Sequence, residues 1–258
     1  MIKMALHLSG YELRAFVRNR QSRFFTLALP VLFLVIFASV FGGSGHTTQV
    51  AGGPISTSVY YVPGIIALGA IAACFGNLAA SVTAQRERGV LKRRRATPVP
   101  AAAVIAGRVL TAIVVAVAMA AVLLGIGWAA YGAHVPGRTA PALAVTVVIG
   151  AASFCCMGYA LTSLIRNEDA ALPTTQAITL PLYFVSGVFV AVTVLPHWLA
   201  DVGEIFPVRH LANALLVAYN PHTTGLGFAG LDLLIVAAWG VAGLLIAIRT
   251  FSWLPLGR

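Results

Sequence analysis

Long apolar runs dominate the chain, and short polar segments separate them. A helix needs roughly 20 mostly apolar residues to cross a hydrocarbon core about 30 Å thick. The runs are continuous, whereas the strands of a membrane barrel would alternate over about 10 residues. Lipid offers no partner to a free backbone N–H or C=O, so these runs predict helices. Six runs meet this description: 24–41, 62–84, 109–130, 141–164, 170–192 and 231–248.

The remaining patterns predict shorter elements. Residues 1–23 predict an N-terminal amphipathic helix in the membrane interface, with a basic stripe opposite an apolar one. Residues 42–58 are rich in Gly, Ser and Thr, which indicates a loop. Residues 193–225 are half apolar but too polar to span, and Pro196 and Pro207 fit the first turns of two short external helices. An ordinary external loop is the alternative for this segment.

Composition places the chain in a membrane. It is 59% hydrophobic and 9% charged, whereas a soluble protein carries about 25% charged residues. The predicted fold class is therefore an all-α membrane protein with a single polytopic domain over residues 1–258. It comprises six transmembrane helices, the N-terminal interface helix, and short external helices between spans five and six.

The basic residues predict the orientation. If all six runs span, 15 of the 17 Lys and Arg residues fall on the side of the N-terminus, and only Arg138 and Arg209 fall on the other. The positive-inside rule then predicts that the N- and C-termini are cytoplasmic. The net charge of +10 reflects topology and attraction to anionic lipid, so nucleic acid is not an expected partner. Arginine far outnumbers lysine, which favours a GC-rich bacterial source and hence a bacterial inner or plasma membrane.

The spans carry little chemistry. Cys74, Cys155 and Cys156 have no metal-ligand spacing and are interpreted as buried thiols. No ionisable residue lies deep in a predicted span, which argues against an ion-driven carrier. No catalytic residues are expected, so the chain is not an enzyme by itself. It also lacks the G-x-x-x-x-G-K-[ST] loop that holds nucleotide phosphates, so any energy for uphill transport would come from another chain.

Two segments carry a resemblance to a known family. Residues 84–110, AQRERGVLKRRRATPVPAAAVIAGRVL, resemble the loop after the second span of ABC type-2 (ABC-2) exporter permeases, in which Glu-x-Gly-[TV]-Leu precedes a basic stretch and Thr-Pro. Residues 180–215 resemble the second hallmark of that family. There, Ser-Gly is followed by Leu-Pro, an aromatic residue and a later Pro that opens an external helix. Drug-resistance permeases of actinobacteria look most similar.

The resemblance implies the permease subunit of an ABC exporter. Such a subunit moves a hydrophobic or amphiphilic compound (a drug, lipid or glycolipid) out of the cytoplasm or inner leaflet. ATP and Mg would bind to a separate ABC ATPase subunit, present in two copies, and this chain itself would hold no cofactor and no metal. A second permease copy, forming a homodimer, membrane lipids and a small amphiphilic substrate are the other implied partners.

The charged segment 85–100 would be the cytoplasmic coupling loop of such a permease. By the resemblance, residues 85–96 form a coupling helix that docks on the ATPase, and Thr-Pro-Val-Pro ends it. The alternative is a topology anchor held by anionic lipid, which explains the arginines but not the intervening Glu and Gly-Val-Leu. The residues expected to couple to the ATPase are Glu87, Arg88, Gly89, Val90, Leu91 and Arg94.

The family's pore lies between facing copies of the first and fifth spans, so polar residues of the spans are candidates for its lining. Pro181 can also kink the fifth span. Two other interpretations stay open. An ion-coupled or passive carrier or channel would work without an ATPase, and a membrane anchor or sensor would bind a partner without transporting. The pathway candidates are Asn77, Thr174, Thr175, Gln176, Thr179 and Pro181.

Overall fold

The structure, a computed structural model, describes residues 2–42, 46–95 and 100–250, without the side chains of residues 2, 21, 22, 25, 94, 95 and 101. Of the described residues, 79% are helical. The chain also contains a π-helical turn, Ala72–Gly76, and a 3₁₀ turn, Val192–Val194. The helices are α1 (Ile2–Arg18), α2 (Arg20–Phe41), α3 (Thr57–Ile71), α4 (Asn77–Glu87), α5 (Val90–Arg95), α6 (Ala101–Tyr131), α7 (Ala140–Leu161), α8 (Glu168–Val185), α9 (His197–Ile205), α10 (Pro207–Tyr219) and α11 (Gly230–Thr250).

Several of these helices are long and apolar enough to cross a membrane. Within the described residues there are four: Thr57–Glu87, Ala102–Tyr131, Ala140–Leu161 and Gly230–Thr250. Thr26–Phe41, inside α2, is a shorter apolar helix. Helix α8 has 18 residues, begins with two acidic residues and contains two prolines. The architecture is that of a helical membrane protein, and the count of six spans stays a prediction.

The fifth predicted span is shorter than its apolar run. The run extends to residue 192, but α8 ends at Val185. Gly187 follows with φ +82°, a left-handed conformation that favours glycine and stops the helix. The carbonyl oxygen of Gly187 then accepts a hydrogen bond of 3.0 Å from the Tyr60 hydroxyl of α3. The predicted extension of this helix is therefore wrong, because hydrophobicity alone does not register a turn that glycine permits.

The predicted loop 42–58 contains a β-hairpin. Strands β1 (Thr47–Val50) and β2 (Gly53–Ser56) pair antiparallel through a turn at residues 51 and 52. Gly52 has φ +94°, and the flanking Thr, Val and Ile residues favour a strand. The richness in glycine predicted an irregular loop here, but it is also compatible with a hairpin turn. Residues 43–45 of this segment lie outside the described part of the chain.

The second predicted span is the centre of the packing. Helices α2, α6, α7 and α10 all pack against α3, and Val62, Ile65 and Ile71 are fully buried. Close approaches need small residues: a Cβ on Gly158 of α7 would lie 3.1 Å from the carbonyl oxygen of Phe75 in the π-helical turn. Helix α11 packs along α7 in the same way. These contacts hold the spans that surround the cavity described next.

Candidate functional site

A cavity of about 780 Å³ lies between α2, α4 and α8, and it is called the α2–α4–α8 cavity below. One face of α8 lines it through residues spaced three or four apart, as on a helical stripe. Four of the six pathway candidates line this cavity: Asn77, Thr175, Gln176 and Thr179. The structure therefore brings Asn77 close to the Thr175–Thr179 stripe of α8, although they are at least 98 positions apart in the chain.

Two pathway candidates lie elsewhere on α8. Thr174 is half-buried and Pro181 is exposed, and neither lines the α2–α4–α8 cavity. The reason is geometric, because successive helical residues turn by about 100° and these two fall away from the Thr175–Thr179 face. That Thr174 lines the translocation pathway stays a prediction. Pro181 lies within α8, so a role in shaping the helix stays a prediction.

The cavity wall is mostly apolar, with a few polar side chains and little charge. The Thr175 hydroxyl donates to the Leu172 carbonyl oxygen at 2.8 Å, and the Thr179 hydroxyl donates to that of Thr175 at 2.9 Å. Both hydroxyl protons are thus used within α8. Asn77 Nδ2 lies 3.5 Å from Thr26 Oγ1, which is long for a hydrogen bond. Gln176 Oε1 also lies 3.3 Å from the Thr179 hydroxyl, so the Asn77 amide and Gln176 Nε2 are the wall groups best able to bond a guest molecule.

Glu168 connects this cavity to the charged segment. It lines the cavity and is the first residue of α8, after the Asn167 side chain, which caps the helix by accepting from Ala170 N–H at 2.8 Å. The Glu168 carboxylate pairs with Arg88 at 2.7 Å, and its backbone N–H donates to Glu87 Oε2 at 2.9 Å. Sequence reasoning missed Glu168, although Asn followed by two acids is a helix-start signal.

The expected coupling helix is broken. Helix α4 ends at Glu87, Gly89 takes a left-handed φ of +68°, and α5 begins at Val90. A continuous helix over 85–96 is therefore wrong, and Glu87 and Leu91 do not share a helical face. Glycine at position 89 allows the chain to turn there.

Leu91 also faces inward. It is only 3% exposed and belongs to the hydrophobic core, so it has no surface to offer a partner in this conformation. Val90 is half-buried, whereas Glu87, Arg88, Lys92 and Arg93 are exposed. The Arg94 side chain and residues 96–99, including the expected Thr-Pro-Val stop, lie outside the described residues.

A buried arginine joins the charged segment to α7. Arg86 is 1% exposed and donates to the carbonyl oxygens of Thr162, at 2.7 Å, and Ile165. These carbonyls follow the C-terminus of α7, where the helix dipole favours a cation. Sequence reasoning did not single out Arg86, because it adjoins other basic residues at the end of a span and nothing in the sequence marks it as buried.

A second ion pair attaches the N-terminal helix. Arg108 of α6 is buried and pairs with Glu12 of α1 at 3.1 Å. Both line a second cavity of about 320 Å³, between α1, α2, α4 and α6, which also includes Thr26 and Asn77. Sequence reasoning did not identify this pair. The available signal was that Glu12 is the one acidic residue in positions 1–23. No group of three or more His, Cys, Asp or Glu residues in the described part of the chain could hold a metal.

Comparisons with known proteins identify relatives of this chain. The family model described as ABC-2 type transporter matches residues 6–220. The chain is 27% identical over 180 residues to the protein named "Probable multidrug ABC transporter permease YbhR" of Escherichia coli K12, and equally to its namesake in Escherichia coli O157:H7. Each alignment covers 70% of this chain and 47% of the relative. The chain thus matches about half the length of these curated relatives.

Proposed function

The chain belongs to the ABC-2 type transporter family, and we propose that it is the membrane-spanning permease subunit of an ABC exporter. It is a multi-pass membrane protein. In the proposed topology, α2, α3 with α4, α6, α7, α8 and α11 are the six spans of a bacterial cell membrane, and both termini are cytoplasmic. Arg93→Cys and Asp201→Cys, at exposed positions, should then react with an impermeant thiol reagent from opposite faces. Labelling from one face would contradict this topology.

The proposed partners follow from the family. Two ABC ATPase subunits bind ATP and Mg and supply the energy, and a second copy of this chain completes the pathway as a homodimer. The proposed substrate is a hydrophobic or amphiphilic compound. The name of the relatives, a multidrug permease, supports this choice, as does a cavity whose wall is mostly apolar with a few polar groups and little charge.

The position of Glu168 is the single observation that carries the proposal. The residue lines the α2–α4–α8 cavity, and its carboxylate pairs with Arg88 in the charged segment at 2.7 Å. A displacement of the charged segment by an ATPase would therefore reach the first turn of the helix that lines the cavity. Arg86 would carry the same displacement to the end of α7 through its bonds to the backbone.

The exposed residues of the charged segment form the proposed docking surface. Lys92 and Arg93 in α5 are available for ion pairs with acidic residues of an ATPase, whereas Arg88 in the preceding turn pairs with Glu168. Gly89, between α4 and α5, lets the chain turn between the two helices. The alternative of an anchor held by anionic lipid uses the same basic residues, but it assigns no role to the Glu87–Glu168 and Arg88–Glu168 contacts.

The proposal is tested by co-purification with a P-loop ATPase encoded by a neighbouring gene. We expect a stable complex, whose ATP hydrolysis rises when amphiphilic compounds are added. A complex without any compound-dependent hydrolysis would favour a membrane anchor or sensor. Transport by the purified chain alone, without ATP, would favour a carrier or channel instead.

A further inference from the structure

An outer cavity lies at the other end of α8 from Glu168. Its volume is about 180 Å³, and it lies between the turn that follows α8, the start of α3, helix α10 and the β-hairpin. Pockets for drug-sized ligands measure about 300–1,000 Å³. The outer cavity is therefore suited to one small chemical group rather than to a whole amphiphile.

Two polar groups in the wall of this cavity have no partner. Ser186 is 2% exposed, and its Oγ forms no hydrogen bond with the described residues. The Arg209 side chain is 17% exposed, and its Nη1 is buried and likewise without a partner. Buried donors normally find an acceptor, because an unmade bond costs about 1–3 kcal/mol. A serine hydroxyl and a guanidinium N–H without partners thus belong to two residues that line the same cavity.

Two other polar side chains of this wall are already bonded to backbone carbonyl oxygens. The Tyr60 hydroxyl donates to the carbonyl oxygen of Gly187 at 3.0 Å, and Asn220 Nδ2 donates to that of Ala51 at 2.8 Å. Of the unpartnered groups, Arg209 Nη1 can only donate and is cationic, and the Ser186 hydroxyl can donate as well. A wall of this kind favours an acceptor with negative charge over a cation or a neutral donor.

Neighbouring carboxylates do not neutralise this site fully. Glu204 lies 3.5 Å from Arg209 Nη2, but its side chain is mostly exposed and it leaves Nη1 free. Asp232 is held by His210 Nδ1 at 2.6 Å and by Asn213 Nδ2 at 2.7 Å. In the proposed topology Arg209 is also one of two basic residues on the outer side, where the positive-inside rule gives no reason to place one.

We propose that the outer cavity binds a single anionic group, a phosphate, between Arg209 Nη1 and Ser186 Oγ. The phosphate belongs either to a free anion or to the head group of an outer-leaflet lipid, whose chain would leave past the apolar wall at Val192 and Leu216. The bound group joins the end of α8 to α10. This site lies at the opposite end of α8 from Glu168 and is independent of the exporter function, since it requires neither ATP nor an ATPase.

The test uses the purified full chain in a non-ionic detergent without added ATPase. Two probes are titrated: inorganic phosphate and short-chain phosphatidylglycerol, with short-chain phosphatidylcholine as the comparison. The thermal unfolding midpoint should rise saturably, because a ligand that binds the folded chain stabilises it. A response to both probes indicates a general phosphate site, and a response to phosphatidylglycerol alone indicates a lipid head-group site.

Variants assign the effect to the two donors. Arg209→Gln should weaken binding about tenfold or more, and Ser186→Ala about threefold to tenfold, as expected for bonds to a charged group. Arg138→Gln, at the other external arginine, which is exposed, should bind as the unchanged chain does. If Arg209→Gln does not fold, Ser186→Ala and Arg209→Lys carry the test. Absence of saturable binding by both probes, or unchanged affinity in the Ser186 and Arg209 variants that fold, would overturn the proposal.

Discussion

The guanidinium of Arg86 donates a hydrogen bond of 2.7 Å to the carbonyl oxygen of Thr162, which joins the end of α4 to the end of α7. A second bond reaches Ile165. The side chain is buried and bonds to backbone rather than to a carboxylate, so it acts as a cap for the C-terminus of α7. Two proposed spans are thereby fastened together beside the proposed docking surface.

Replacing this arginine should destabilise the chain. Arg86→Met leaves the two carbonyls without a donor, at a cost of about 1–3 kcal/mol for each group that stays buried, partly offset because a buried charge is removed. We expect the thermal unfolding midpoint in detergent to fall by several degrees. Arg93→Met, at an exposed position, is the control and should change it little. Equal midpoints for both variants would show that the cap has no structural importance.

The Arg88–Glu168 pair should matter for coupling more than for stability. Arg88 is 68% exposed on its side chain, and exposed ion pairs contribute about 0–1 kcal/mol. Arg88→Glu and Glu168→Arg should each lower compound-stimulated ATP hydrolysis, because like charges then separate the charged segment from α8. The double variant should recover part of the loss.

Thermal midpoints of these three proteins serve as the control and should stay near that of the unchanged chain. Wild-type stimulation in both single variants, or a double variant no better than the weaker single one, would remove the pair from the coupling route.

Substitution of Leu91 should lower stability, whereas substitution of its exposed neighbours should lower affinity for the ATPase. Leu91→Ala removes a buried side chain, and such a change costs about 2–5 kcal/mol of stability. Lys92→Glu with Arg93→Glu changes only exposed charges, so stability should hold while affinity for the ATPase falls. The measurements are the unfolding midpoint and the fraction of ATPase retained on the immobilised permease. If folded Leu91→Ala bound the ATPase more weakly while the charge variant bound it normally, Leu91 rather than the exposed charges would form the docking surface.

The wall of the α2–α4–α8 cavity should set the compound profile. Gln176→Leu removes an amide that can bond a guest, and one hydrogen bond is worth about twofold to tenfold in affinity. Compounds with polar groups should therefore stimulate hydrolysis at higher concentrations, while apolar ones change less. Thr174→Val lies on the same helix but outside the cavity wall and is the matched control. Identical profiles for both variants would argue that the cavity does not bind the compounds.

The sequence predicted the helices better than their breaks. Continuous apolar runs correspond to α6, α7 and α11, because burial in lipid demands little more than length and hydrophobicity. The turns at Gly89 and Gly187 were missed, since each depends on a left-handed backbone that glycine permits but does not require.

The sequence also predicted part of the candidate site, the polar residues that line the α2–α4–α8 cavity. Polar residues in apolar spans marked Asn77 and the Thr175–Thr179 stripe, and a helical projection separates Thr174 from them. The roles of Arg86 and Glu168 were not predictable, because their contacts join residues 76 or more positions apart. Only the packing of α4 against α7 and α8 brings these partners together.

The central claim is that a separate ATPase drives a compound through the α2–α4–α8 cavity. The direct test is transport in vesicles that contain the permease, its ATPase and the fluorescent compound that stimulates hydrolysis most. Ala80→Trp places bulk in the cavity wall, and Leu244→Trp, exposed on α11, is the control. We predict ATP-dependent transport by the unchanged chain and by Leu244→Trp, and assembly with ATP hydrolysis but no transport by Ala80→Trp. Transport without ATP or ATPase, or undiminished transport by Ala80→Trp, would contradict the account.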